Sequence, residues 1–122
     1  MENARKKIDG EWRAMTGLLG SEPLPDHILA ATVLSIRDQN YSVNSAGKID
    51  RGRSIFELGQ TPPRITIEGE EGPNKGKTFC AIFEFIAADE IRIAYDLSGT
   101  AYPDTFEPCE AKSNYVATFK RC

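Results

Sequence analysis

TFCAIFEFIAADEIRIAYDL, residues 78–97, is the stretch that decides how this chain folds. Phe79, Ala81, Phe83 and Phe85 fall on every second position, as do Ile91, Ile93 and Tyr95, while Glu84 and Arg92 occupy positions between them. Successive side chains of an extended backbone point to opposite sides, so a repeat of two marks a strand with one dry face. Between the two runs stand Ala88, Asp89 and Glu90, a break short enough for a tight hairpin.

The same pattern continues in both directions. Residues 1–8 read as a short helical lead-in to a first strand, Gly10–Leu18, with Trp12, Ala14 and Thr16 on one side. The loop GSEPLPDH follows, and Asp26 is placed to cap one or two helical turns in DHILAAT. Val33–Arg37 and Tyr41–Asn44 form a hairpin about Asp38-Gln39-Asn40, with Leu34 and Ile36 on its inner side. After the turn SAGK come the strands Ile49–Leu58 and Arg64–Glu68, the latter with Ile65 and Ile67 on one face. EGPNKGK reads as a loop, residues 98–114 as a long irregular connection, and Tyr115–Arg121 as the last strand. Eight or nine short strands with turns every ~6–12 residues and little helix predict an all-β protein. One dry and one wet face per strand suit a sheet closed on itself, an antiparallel eight-stranded up-and-down β-barrel filling residues 1–122 as a single domain.

Composition narrows the function classes. The 122 residues suffice for one domain, and 40% hydrophobic with 27% charged residues is ordinary for a soluble globular chain. A net charge of −3 argues against a nucleic-acid surface, and Arg5-Lys6-Lys7 reads as a solvated helix face. No apolar run is long enough to span a bilayer, and MENARKKIDGEW lacks the apolar core of a signal peptide. Those features point to a soluble, cytoplasmic protein, with an export segment upstream left open. Cys80, Cys109 and Cys122 are odd in number and contain no CxxC, which suits neither a disulfide framework nor a zinc site. Cys80 reads as a small buried residue, and pairing of Cys109 with Cys122 is left open.

Gly10-Glu11-Trp12 opens the first strand, and Arg121 stands on the last. In a closed barrel these strands are neighbours, so the guanidinium can cover the indole and close one end, at ~0.5–2 kcal/mol. A G-x-W start with an Arg near the end of the barrel resembles the lipocalin and calycin families. More of the chain is similar to a lipocalin-like domain family of unknown function abundant in planctomycete bacteria. IDGEW, GSEPLP, ITIEGEEGPNKGKTFCAIFEF, AYPDTF and FKR carry that likeness. The family's usual Gly and Tyr in a "GIYE"-like strand are replaced here within Ala81-Ile82-Phe83-Glu84, and Tyr102 stands for the Arg of its "RP-x-x-F" loop. The resemblance implies a small β-barrel and brings no catalytic residues.

Chemistry-bearing residues are sparse. His27 is the only histidine and sits at a helix start, where capping or solvent contact is the commoner role. No histidine pair, HExxH or cysteine cluster offers a metal site, and no cofactor is implied. EGPNKGK lacks the spacing of a phosphate-binding loop, and its glycines suit positive φ in a hairpin connection. Glu70 and Glu71 read as solvated and Glu84 as outward-facing, while Tyr41, Tyr95, Tyr102 and Tyr115 belong to core or rim. An inward phenol among them would be able to orient a ligand.

Three functions fit these residues. The first is binding of a small apolar or amphipathic molecule inside the barrel, with Phe56, Phe79, Phe83, Phe85, Ile93 and Tyr95 as the wall, weighed against a core that leaves no room. The second is an accessory domain that meets a protein partner through loop 98–114, where Ala101-Tyr102-Pro103 and Phe106 are apolar. The third is an isomerase or cyclase with a Tyr or Glu as acid/base, for which no motif is identifiable.

Overall fold

The computed structural model describes residues 8–108 and 113–122. The expected helical lead-in therefore lies almost wholly outside the described residues, and so does Cys109 with its possible pairing. The elements are β1 (Gly10–Leu19), β2 (Glu22–Pro23), α1 (Asp26–Ala30), β3 (Thr32–Arg37), β4 (Asn40–Ser45), β5 (Lys48–Glu57), β6 (Arg64–Glu71), β7 (Thr78–Ala87), β8 (Glu90–Asp96) and β9 (Asn114–Arg121). From β3 to β9 each strand pairs antiparallel with the next, β1 pairs with β3, and β1 with β9 completes the ring. The two residues of β2 only extend the end of β1, so the closed barrel has eight strands. Among the described residues no helix is long and apolar enough to cross a membrane.

The ends of the chain meet where the ring closes. Trp12 is fully buried, and its Nε1–H donates to the Ile8 carbonyl at 2.8 Å. The Arg121 guanidinium lies 4.2 Å from the centre of the indole and donates from Nη1 to the Asp9 carbonyl at 2.7 Å. Gly10 makes this possible twice over. Its φ is +128°, and a Cβ there would stand 2.7 Å from Arg121 Nη1. One end of the barrel is thereby floored by an indole that is roofed by a cation.

Three strands depart from plain alternation. Ala14 pairs with Phe119 and Thr16 with Thr118, which leaves Met15 as an extra residue. The phase of β1 shifts there, so Thr16, expected beside Trp12 and Ala14, instead faces solvent and bonds Thr118 Oγ1 at 2.5 Å. A second bulge leaves Ile86 unpaired on β7, and a third leaves Glu70 unpaired on β6. The exposure of Met15 (52%) and Ile86 (43%) follows from these insertions. α1 also differs from expectation. Pro25 occupies the N-cap with no side-chain hydrogen bond, and Asp26 is the first helical residue.

The wet outer face fails on one side of the barrel. Ile82, Ala94 and Val116, outward on β7, β8 and β9, are buried beneath Tyr102 and Phe106 of the β8–β9 loop. Arg64 stacks 4.6 Å from the Tyr102 ring centre, and the Tyr102 and Thr66 hydroxyls bond each other. Asp96 starts this loop correctly. Its carboxylate accepts from the Ser98 backbone and hydroxyl, the Thr100 hydroxyl and the Ala101 backbone at 2.5–3.1 Å. Glu84 does face outward, salt-bridged at 3.1 Å to Arg92 directly across the ladder.

Trp12→Ala is expected to lower unfolding free energy by about 3–5 kcal/mol in a denaturant titration, because it empties the floor of the closure. Partial burial raises the pKa of Asp96, but the hydrogen bonds from Ser98, Ala101 and Thr100 outweigh it and hold the group at about 2, below its ordinary 3.8. A carboxylate depressed on folding stabilises above its unfolded pKa, so this contribution is expected to vanish as pH falls from about 4 to about 2. Comparing wild type with Asp96→Ala by acid unfolding isolates it, since the variant lacks that part of the slope.

Candidate functional site

The barrel is filled unevenly. Around the floor the aromatic rings interlock: Trp12 meets Phe85 tilted, at 6.4 Å and 48°, while Phe85 to Phe83 at 6.0 Å and 87° and Phe83 to Phe56 at 6.1 Å and 90° are edge-to-face. Edge-to-face contacts of this kind set the positive rim of one ring against the negative face of the next. Above them, toward the end where β5 begins and β8 stops, the interior holds a partly open cavity of about 190 Å³. Leu34, Ile36, Ile65, Ile67, Ile93 and Phe119 make its deeper wall.

Polar groups gather near the mouth. Tyr95 and Tyr115 pair across β8 and β9 and stack with ring centres 5.4 Å apart. Tyr41, on β4, joins them in lining the cavity, along with Thr32, Ser54, Asp50 and Asn74. Asp50 is positioned by the β6–β7 loop: its Oδ1 accepts the Asn74 backbone N–H at 3.0 Å and its Oδ2 the Asn74 side-chain amide at 3.2 Å. Gly72 and Gly76 of that loop take positive φ, as the reading of EGPNKGK expects, and fold Asn74 back over the barrel end.

Tyr41 can lie inside because β5 carries no side chain beneath it. A Cβ on Gly52 would overlap the Glu68 carbonyl oxygen and stand 2.9 Å from Tyr41 Cε1. An aromatic ring laid over a strand glycine restores the packing that the glycine omits. All three phenols are held protonated. Burial raises the pKa of Tyr41, reinforced by the negative charges of Asp50 and Glu70. Burial likewise pushes Tyr95 far above the ordinary phenol range, with Tyr115 and Tyr41 adding to it, and burial alone raises Tyr115.

Of the six residues expected to form a pocket wall, Phe79, Ile93 and Tyr95 bound this cavity. Phe56, Phe83 and Phe85 lie outside its lining, in the aromatic packing that joins it to the floor. Trp12 and Arg121 come together as expected of a barrel closure. Of the four tyrosines expected at core or rim, Tyr41, Tyr95 and Tyr115 line the cavity and Tyr102 does not, while Asp50, Ser54 and Asn74 carry no expectation from the sequence. The period-two rule had a signal for most of them, since Tyr41 alternates with Val43, Tyr115 with Ala117 and Phe119, and Asp50 with Gly52, Ser54 and Phe56. A search for apolar faces passes over polar inward positions.

His27 is exposed on α1, and among the described residues no group of three metal-ligating side chains converges. Cys80 is buried on the outer side of β7, where burial and the charge of Asp96 push its thiol pKa up. What the site offers is an apolar chamber with neutral hydroxyls and one carboxylate near its entrance. Comparison with known proteins finds no matching family model, no matching curated protein and no matching solved structure.

Gly52→Ala is expected to cost about 1–3 kcal/mol of stability, since a methyl group there overlaps a backbone carbonyl that cannot swing aside. Thermal unfolding of the variant checks it. An unchanged melting temperature would mean that Tyr41 and Glu68 stand farther from β5 than described.

Proposed function

We propose that this chain is a small-molecule binding protein of lipocalin-like, calycin-type, up-and-down design, which holds one compact and largely apolar ligand at the hollow end of its barrel. The observation that carries the reading is the cavity itself. An eight-stranded barrel is narrow enough for its own side chains to fill it, and here the lower half is filled while the upper half is not.

Volume limits the ligand. A cavity of roughly 150 Å³ accepts benzene in a well-studied engineered protein, while drug-sized ligands need about 300–1,000 Å³. At about 190 Å³ the chamber suits one ring with a short substituent and has no room for a long acyl chain. Burying ~200 Å² of such a molecule contributes about 5 kcal/mol before the cost of association, which corresponds to modest affinity. The hydroxyls of Tyr41, Tyr95 and Tyr115 and the Asn74 amide supply the few directional contacts that an otherwise apolar pocket uses to orient its occupant.

Titration of the protein with benzyl alcohol, followed by NMR shifts of the tyrosine rings and by melting temperature, is expected to saturate. Val43→Phe, which adds a ring to a half-buried lining position, is expected to keep the fold and weaken binding by at least about tenfold. Equal titration curves for wild type and variant would place the binding elsewhere, and a linear, unsaturated response in wild type would refute the reading.

A further inference from the structure

From the charge around the cavity we infer that its ligand is a compact organic cation, a one-ring primary amine whose ammonium group lies by Asp50 and whose ring occupies the apolar chamber below. This rests on the ligand-binding reading and specifies the ligand class.

Among the described residues that line the cavity, Asp50 alone carries a charge; no Lys, Arg or His joins it there. The neighbouring cations are otherwise engaged or turned away. Arg51 is exposed and forms a salt bridge with Glu71 at 3.6 Å, and Lys48, Lys75 and Lys77 are all exposed. Asp50 is half-buried and anchored by two hydrogen bonds from Asn74, one to each oxygen. A carboxylate has about four acceptor positions, so both oxygens can still accept from a guest. Its position is therefore fixed, and about half of its acceptor capacity remains for a guest.

The uncharged lining favours the same sign. Tyr41, Tyr95, Tyr115, Phe79 and Phe119 bring five aromatic rings to one small chamber, and the negative faces of such rings attract ammonium groups. The phenol oxygens accept N–H donors while the hydroxyls stay protonated. A carboxylate guest would meet Asp50 with no compensating cation, so the same lining that welcomes an amine rejects an acid. Burial completes the argument. Asp50 and Asn74 are half-buried, whereas Ile36, Ile65 and Ile93 of the same lining are buried, which matches a molecule polar at one end and apolar at the other.

Benzylamine, benzyl alcohol and benzoate are near-isosteric and differ in charge, so their ranking tests the inference on the wild-type chain without any mutation. Calorimetric or NMR titration at neutral pH is expected to rank amine above alcohol above acid, with the amine at least about tenfold tighter than the alcohol, as a charge-assisted hydrogen bond in a partly dry site provides. Asp50→Asn keeps an acceptor for the Asn74 N–H and removes the charge. The readout is the ratio of the two affinities, and the variant is expected to bring amine and alcohol within about twofold of each other. If the alcohol binds as tightly as the amine in wild type, or if the preference for amine survives in Asp50→Asn, the inference fails while the ligand-binding reading stands. If none of the three saturates, both fail together.

Discussion

The architecture depends on the contact between Trp12 and Arg121. Their separation along the chain is nearly its full length, and the ring of strands is complete only when β1 lies against β9. The guanidinium joins the two ends through two different interactions, an electrostatic one with the indole face and a hydrogen bond to the Asp9 carbonyl. Gly10 leaves the space in which both can happen. An open sheet of eight strands would present two unpaired edges, and edges invite association with other chains. Closure removes them, and it does so where the contact buries the largest side chain in the molecule.

Filling and hollowness follow from where large rings were placed. Phe56, Phe83, Phe85 and Trp12 interlock around the floor, so the lower half resembles an ordinary close-packed core. At the other end Tyr95 and Tyr115 stack on each other, Tyr41 packs against Gly52, and the three line a cavity instead of filling it. Outside the barrel, Tyr102 and Phe106 cover Ile82, Ala94 and Val116, so β7 to β9 are buried on both faces at that level. That added layer supports the wall carrying Tyr95 and Tyr115 while the inside of the same wall stays free.

Much of the fold was legible in sequence because a repeat of two is a direct consequence of extended backbone. Phe79-Ala81-Phe83-Phe85 and Ile91-Ile93-Tyr95 read correctly, as did the hairpins between strands and the Gly10/Trp12/Arg121 closure. Thr16 did not, since a bulge inserts one residue and exchanges the faces beyond it, and no residue type announces Met15 as the insertion. Ile82 and Val116 misled for another reason. Alternation puts them on the face it expects to be wet, and only a loop distant in sequence makes them dry. The site was half visible. Phe79, Ile93 and Tyr95 follow from apolar alternation, whereas Asp50, Ser54 and Asn74 are polar groups whose inward placement becomes informative only once the space they face is known to be vacant.

The lone indole also sorts the protein's ultraviolet chromophores by position. Trp12 lies beneath a layer of phenylalanines at the closed end, while Tyr41, Tyr95 and Tyr115 surround the opposite chamber. Emission excited at the red edge of the band, where the indole absorbs and phenols do not, therefore reports whether the two chain ends are joined. The phenolic bands, to which Tyr102 on the outer face adds a constant share, respond to what occupies the mouth, so one cuvette reads integrity and occupancy with no label attached.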